Sequence, residues 1–200
     1  MADLLAFDPA ALPDLLATPE PVVLPPHAAD RRAAVTLLLT PEPELPAQVE
    51  ALFALRAEVA GDPWSGHVAL PGGREDPGDA DLVETARREL REETAIDLPR
   101  PAFVGRLDDL HPRAVHLPSI VVSPFVAWLP ERPVVNENYE LAGHVWIPLT
   151  DLAAPERRSR FVREKPEPRE FETIEYAGAM VWGLTLAIVD DFLRRIGGRP

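Results

Sequence analysis

Cysteine is absent from the 200 residues, which excludes disulfides and thiolate-ligated metals, so any bound metal must take oxygen or imidazole ligands. That restriction favours hard cations. Positive charge is scarce: 20 Lys and Arg stand against 33 Asp and Glu, a formal net charge of −13. A surface of that sign repels nucleic-acid backbones and anionic membranes, so neither is expected as a partner. A small anionic substrate stays open, because a cation held in an acidic pocket inverts the local field. Long hydrophobic runs are missing as well. None approaches the roughly 18 apolar residues of a membrane span, and Met1-Ala-Asp-Leu-Leu lacks the basic start of a leader peptide. The expectation is a soluble, cytoplasmic protein.

The chain does contain enough hydrophobic residues, 46 %, to bury one substantial core, and its length suits a single domain. Its 24 prolines are scattered beside apolar stretches, as proline-bounded elements and turns require. Residues 1–30 combine a helix-like piece, 9–16, with a proline-punctuated segment, 19–26, and are expected to form an arm packing on a domain of residues 31–200. Residues 33–39, 67–71, 102–107, 119–128 and 143–147 read as strands. Residues 51–59 fit a strand or a helix by periodicity alone. Residues 80–94 are the clearest helix, and 180–196 read as an amphipathic closing helix with Trp182 in the core. Strands mixed with two major helices, without strict alternation, predict an α+β fold with a mixed sheet.

Glu89, Glu92 and Glu93 are spaced i, i+3, i+4, which gathers three carboxylates in one sector of that helix, beside an apolar stripe of Leu82, Ala86 and Leu90. Three like charges so close repel, and a multivalent cation such as Mg²⁺ or Mn²⁺ would relieve them. The interleaved Arg87, Arg88 and Arg91 offer the other reading, an ion-paired solvated face. Upstream, Gly72-Gly73 permits a turn whose backbone comes close to a metal or phosphate.

Gly73-Arg-Glu-Asp-Pro-Gly-Asp79 followed by Arg88-Glu89-Leu90-Arg91-Glu92-Glu93-Thr94-Ala95-Ile96 resembles the Nudix box of Nudix hydrolases. That pattern is a glycine, five residues, an acid, seven residues, then Arg-Glu-aliphatic-x-Glu-Glu-x-Gly-aliphatic. Here Asp79 stands where the family usually has Glu, eight residues precede Arg88, and Ala95 replaces the usual Gly. The spacing and the Asp are similar to the coenzyme A pyrophosphatase branch, as is Gly66-His-Val-Ala-Leu-Pro-Gly-Gly73. Weaker similarity reaches Glu140-Leu-Ala-Gly-His-Val-Trp-Ile-Pro-Leu149 and Val181-Trp-Gly-Leu-Thr185. Of the Arg-Ser-x-x-Leu-Arg-x-His stretch usual in that branch, only Arg56 is retained.

The resemblance implies a Nudix α/β/α sandwich. It implies that Glu89, Glu92, Glu93 and the Gly73 carbonyl ligate Mg²⁺ or Mn²⁺, that Arg88 orients Glu89, and that an activated water attacks a diphosphate phosphorus. A loop acid, Glu140 or its neighbour Glu137, would serve as general base, or else be a plain surface carboxylate. Arg56, Trp64 and His67 are the substrate-binding candidates, although Trp64 equally suits loop anchoring and His67 a structural role at a strand entry. The implied partner is a small-molecule nucleotide, with a homodimer as a candidate assembly. The leading substrate is coenzyme A or a derivative, giving 3′,5′-ADP and 4′-phosphopantetheine. ADP-ribose or nucleotide-sugar hydrolysis and a non-catalytic nucleotide-binding module are the alternatives.

Overall fold

The computed structural model describes residues 8–25, 31–57, 67–112, 119–163 and 168–197. In chain order the elements begin with α1 (Leu12–Ala17), β1 (Arg31–Pro41), β2 (Val49–Arg56), β3 (Val68–Ala69), β4 (Gly72–Arg74) and α2 (Leu82–Thr94). They continue with β5 (Phe103–Arg106), β6 (Ile120–Trp128), β7 (Leu141–Pro148), α3 (Leu149–Leu152), β8 (Arg158–Arg163), β9 (Arg169–Tyr176), β10 (Ala179–Trp182) and α4 (Gly183–Arg195). Strands β1 to β7 form one mixed sheet, and β8, β9 and β10 form a separate antiparallel sheet.

β1 is central because it is apolar on both faces, as a strand covered from two sides must be. Leu37 and Leu39 join Leu12, Leu16, Phe53, Ile147 and Phe192 in the larger core, under α1 and α4. Leu38, on the opposite face, packs with Leu52, Leu90 and Trp146, and Ala34 packs with Ala86. α2 therefore covers one face, and α1, α4 and the small sheet cover the other. Full burial of Leu90 alone contributes about 2 kcal/mol to holding α2 in place. This is the mixed α+β sandwich that the sequence predicts.

β1 runs parallel to β6 from Arg31↔Ile120 to Leu39↔Trp128. Its other edge is shared: residues 39–41 pair with β2 and residues 33–35 with β4. The segment left open between strand and helix is a strand, since β7 pairs with it from Glu50↔Pro148 to Arg56↔Leu141. The closing helix begins later than its apolar pattern suggests. Met180 and its neighbours pair with β9, and Gly183, at φ +61°, turns the chain into α4. Trp182 accordingly ends a strand and is partly exposed, which corrects its expected place in the core.

α1 seals the sandwich with fully buried Leu12 and Leu16. Arg195, itself buried, donates to the carbonyls of Leu16 (3.2 Å) and Pro19 (2.6 Å) and to Asp108 (2.6 Å), and pairs with Asp191 (3.2 Å). Buried charge is tolerable there because each of these four partners supplies an acceptor oxygen. Among the described residues, no helix is long and apolar enough to cross a membrane.

Candidate active site

The site is built on α2. Asp81 caps its start by accepting from the amides of Val83 and Glu84, both at 3.0 Å, which satisfies two of the donors a helix start leaves unpaired. Its far end closes with Ala95 in the left-handed region, φ +60°, the position where the resembling pattern has glycine. Between these ends Ala86 and Leu90 face the sheet, which fixes the rotation of the helix and sends Glu89 and Glu93 toward β4.

The glycine pair is part of strand β4, hydrogen-bonded to β1, and not a free turn. A Cβ on Gly72, at φ +153°, would lie 2.3 Å from the Ala34 carbonyl oxygen, and one on Gly73 would lie 2.4 Å from the Glu89 carboxylate. Both positions need glycine, the first to let two strands meet and the second to let an acid reach the strand. Gly72 also donates its amide to Glu93 at 3.0 Å.

Arg88 ties these parts together. It bonds both oxygens of Asp79 at 3.0 Å, Glu89 at 2.7 Å, Glu92 at 3.2 Å and the Arg74 carbonyl at 2.9 Å. The forked guanidinium suits the two parallel bonds to Asp79. The hydrogen bond to Arg88 is the main cause holding the Asp79 carboxyl down at about 2. Asp79 also accepts from the Asp76 amide and the Thr85 hydroxyl, both at 2.9 Å. The sequence marks Asp79 only as a variant box position. Its role as anchor for Arg88 was readable from its place in the box, where an acid precedes the arginine.

Glu93 is 5 % exposed, and burial pushes its carboxyl up to about 7 against the opposing Gly72 hydrogen bond. Burial likewise raises Glu89, against its hydrogen bond from Arg88. Glu92 is half exposed. Among the described residues no three Asp, Glu or His side chains stand together in metal-binding geometry, since Arg88 draws Glu89 and Glu92 while Gly72 holds Glu93. The donor types are nonetheless those a hard divalent ion takes, carboxylate and main-chain oxygens. The outer side of α2 is the ion-paired face of the second reading: Arg87 meets Glu84 at 2.8 Å and Asp97 at 3.4 Å.

The segment after β6 closes over the end of α2, with Asn138 donating to the Glu93 carbonyl at 3.0 Å and Asn136 to that of Thr94 at 2.9 Å. It separates the two loop acids. Glu140 lies where its charge acts on both Glu89 and Glu93, whereas Glu137 is engaged 2.6 Å from His144 Nδ1. Arg56, at the end of β2, favours the charged form of Glu93, and its amide bonds the His67 carbonyl at 3.1 Å. The His67 ring meets Trp182 edge-on at 4.6 Å, so it stands beside the small sheet and at one remove from the acids. Trp64 lies outside the described residues.

Residues 30–165 match the family model described as NUDIX domain. An uncharacterized Nudix hydrolase of Yersinia pestis, NudL, is 31 % identical over 173 residues, covering 84 % of this chain and 81 % of that protein. An uncharacterized protein of Schizosaccharomyces pombe is 36 % identical over 124 residues, 56 % of this chain, and the match spans only 38 % of that relative's length. A MutT/nudix family protein from Enterococcus faecalis shares the fold, with a TM-score of 0.59 at 19 % identity over 88 % of this chain and 65 % of that one.

Proposed function

The chain belongs to the Nudix family of pyrophosphohydrolases, and from that premise we propose that it cleaves the diphosphate linkage of a nucleoside diphosphate derivative, with coenzyme A or a derivative as the leading substrate. The observation that supports the reading most is the fit at Gly73, where a carboxylate occupies the space a side chain would need. Nothing in core packing calls for an acid there. The coenzyme A assignment draws on the eight-residue spacing before Arg88 and on the segment Gly66 to Gly73.

Glu89, Glu92, Glu93 and the Gly73 carbonyl would hold the divalent ion, Mg²⁺ or Mn²⁺. Bound there, it would supply the positive charge that neutralises a diphosphate and acidifies water. Arg88 orients Glu89 and Glu92 from one side, fixed in turn by Asp79 and the Arg74 carbonyl. The Gly72 amide aims Glu93. Glu140 would serve as general base, a reading supported by its exposure, by its charge acting on Glu89 and Glu93, and by the imidazole that engages Glu137 instead. Arg56 would meet substrate phosphate, and His67 the adjoining part of the substrate.

A substrate panel tests the reading. Incubation with Mg²⁺ or Mn²⁺ and coenzyme A, ADP-ribose or dinucleoside polyphosphates, followed by mass spectrometry, should yield 3′,5′-ADP and 4′-phosphopantetheine from coenzyme A. Turnover of ADP-ribose alone would reassign the organic half. Binding without hydrolysis of any compound would make the protein a nucleotide-binding module.

A further inference from the structure

The three-stranded sheet gathers aromatic rings on one face. Phe161 lies directly opposite Phe171, and Trp182 lies opposite Thr173, two residues further along β9, so strand alternation sends all three to the same side. Their ring centroids are 5.9 Å apart for Phe161 and Phe171, 5.1 Å for Phe161 and Trp182, and 5.2 Å for Phe171 and Trp182. His67 adds a fourth ring against Trp182. All four residues are partly exposed. The opposite face of this sheet is the one that joins the main core, through fully buried Ile174 and Val181.

Two guanidinium groups lie over these rings, Arg163 at 5.7 Å from the Trp182 centroid and Arg169 at 5.3 Å from that of Phe171. Other arginines of the same sheet have acids: Arg158 pairs with Asp190, and Arg160 with Glu170 and Glu172. Arg163 and Arg169 have no carboxylate partner among the described residues. In a chain of net charge −13, two cations without a carboxylate partner among the described residues, lying over partly exposed aromatic rings, form a surface suited to a nucleobase attached to a negatively charged phosphate. Its position suits the substrate. His67 links the cluster to Arg56 through their main-chain bond, and Arg56 lies near enough to Glu93 to stabilise its charge.

We propose that this face is the nucleoside subsite of the diphosphate hydrolase argued above, and the proposal rests on that reading. The nucleobase packs against the ring cluster of Phe161, Phe171 and Trp182, while Arg163 and Arg169 meet a phosphate of the same nucleotide. Stacking on aromatic side chains and guanidinium binding of phosphate are both tolerant of neighbouring groups, which suits a substrate whose other half is variable.

The test compares the wild-type chain with Phe171→Leu and Arg163→Ala, using ADP and inorganic pyrophosphate as calorimetric probes and kinetics on whichever panel compound turns over. The Arg163 guanidinium lies over the Trp182 ring and, among the described residues, makes no ion pair, so its variant keeps the test informative should Phe171→Leu fail to fold. Phe171→Leu is expected to weaken ADP binding about ten-fold and to leave pyrophosphate binding unchanged, Arg163→Ala to weaken ADP binding about ten-fold and pyrophosphate binding with it, and each to raise KM by a similar factor at constant kcat, as loss of uniform binding requires. Unchanged ADP affinity in Arg163→Ala, with turnover intact, overturns the subsite and leaves the hydrolase reading standing. A wild-type chain that hydrolyses nothing on the panel overturns the hydrolase reading; if it also binds ADP no better than pyrophosphate, the subsite falls with it.

Discussion

α2 and the small sheet β8–β10 both carry dense, alternating charge, yet they use it in opposite ways. Arg160 meets Glu170 and Glu172 at 3.3 Å, with all three side chains more than half exposed. Such a ladder is worth little, because water competes for every charge in it. On α2 the acids are drawn against a strand. Glu93 is 5 % exposed, Glu89 fills the space beside Gly73, and a single guanidinium holds Asp79, Glu89 and Glu92 in register. A charge run becomes a site candidate when burial and fixed partners make it costly to keep. Glu50 on β2 shows that burial alone is insufficient: it is 3 % exposed and pushed up to about 7 by desolvation, but its partner is Arg132 at 3.0 Å, away from the glycine pair.

The largest effect expected from breaking this contrast is at Gly73. Gly73→Ala should lower kcat on the order of 100-fold, the cost of displacing a positioned group by about an ångström, while the unfolding temperature falls only a few degrees because the displaced atoms end a flexible side chain. Steady-state kinetics beside thermal unfolding check it, and an unaffected kcat would detach Glu89 from the chemistry. The next effect concerns Glu50. Its folded value, about 7, lies above the ordinary value of 4.5 that the unfolded chain has, so between these pH values the folded state holds a proton that the unfolded state has released. Stability should therefore fall as pH rises from about 4.5 to about 7 and then level off. Glu50→Gln should flatten part of that slope, Glu93 retaining its own share, and should be more stable than wild type at pH 8 by about 1–3 kcal/mol. Urea unfolding across pH measures both curves, and parallel slopes would show that burial does not raise Glu50. The smallest effect belongs to the surface ladder. Arg160→Ala should change stability by less than about 0.5 kcal/mol and leave turnover untouched. A larger loss would mean that the two charged regions differ less than their exposure indicates.

The same contrast explains what the sequence made legible. α2 is plain because its acids, its apolar stripe and its capping residue all agree with one helix, and the glycine pair upstream marks a place where the backbone comes close to other groups. β8 and β9 are not legible in the sequence. Arg158-Ser-Arg-Phe-Val-Arg163 and Arg169-Glu-Phe-Glu-Thr-Ile-Glu-Tyr176 bury so little apolar surface that their period-two pattern is masked by charges paired across the strands. β10 was hidden for a different reason: Met180-Val-Trp182 is too short to show its own period and runs directly into the apolar face of α4. Within the site, carboxylate spacing marks Glu89, Glu92 and Glu93, but the difference between Glu137 and Glu140 depends on His144, seven residues along in the strand that this loop enters. The spacing of the acids does not show which of them the imidazole engages.

The most direct measurement of the central claim is turnover by Glu92→Gln with the fold verified by thermal unfolding. Glu92 is half exposed and pairs with Arg88 at 3.2 Å, so its replacement by Gln is expected to cost little stability. Activity should drop at least about 100-fold with the unfolding temperature unchanged, the pattern of an interaction made in the transition state. Wild-type kcat in that variant would contradict the assignment of the α2 carboxylates to catalysis.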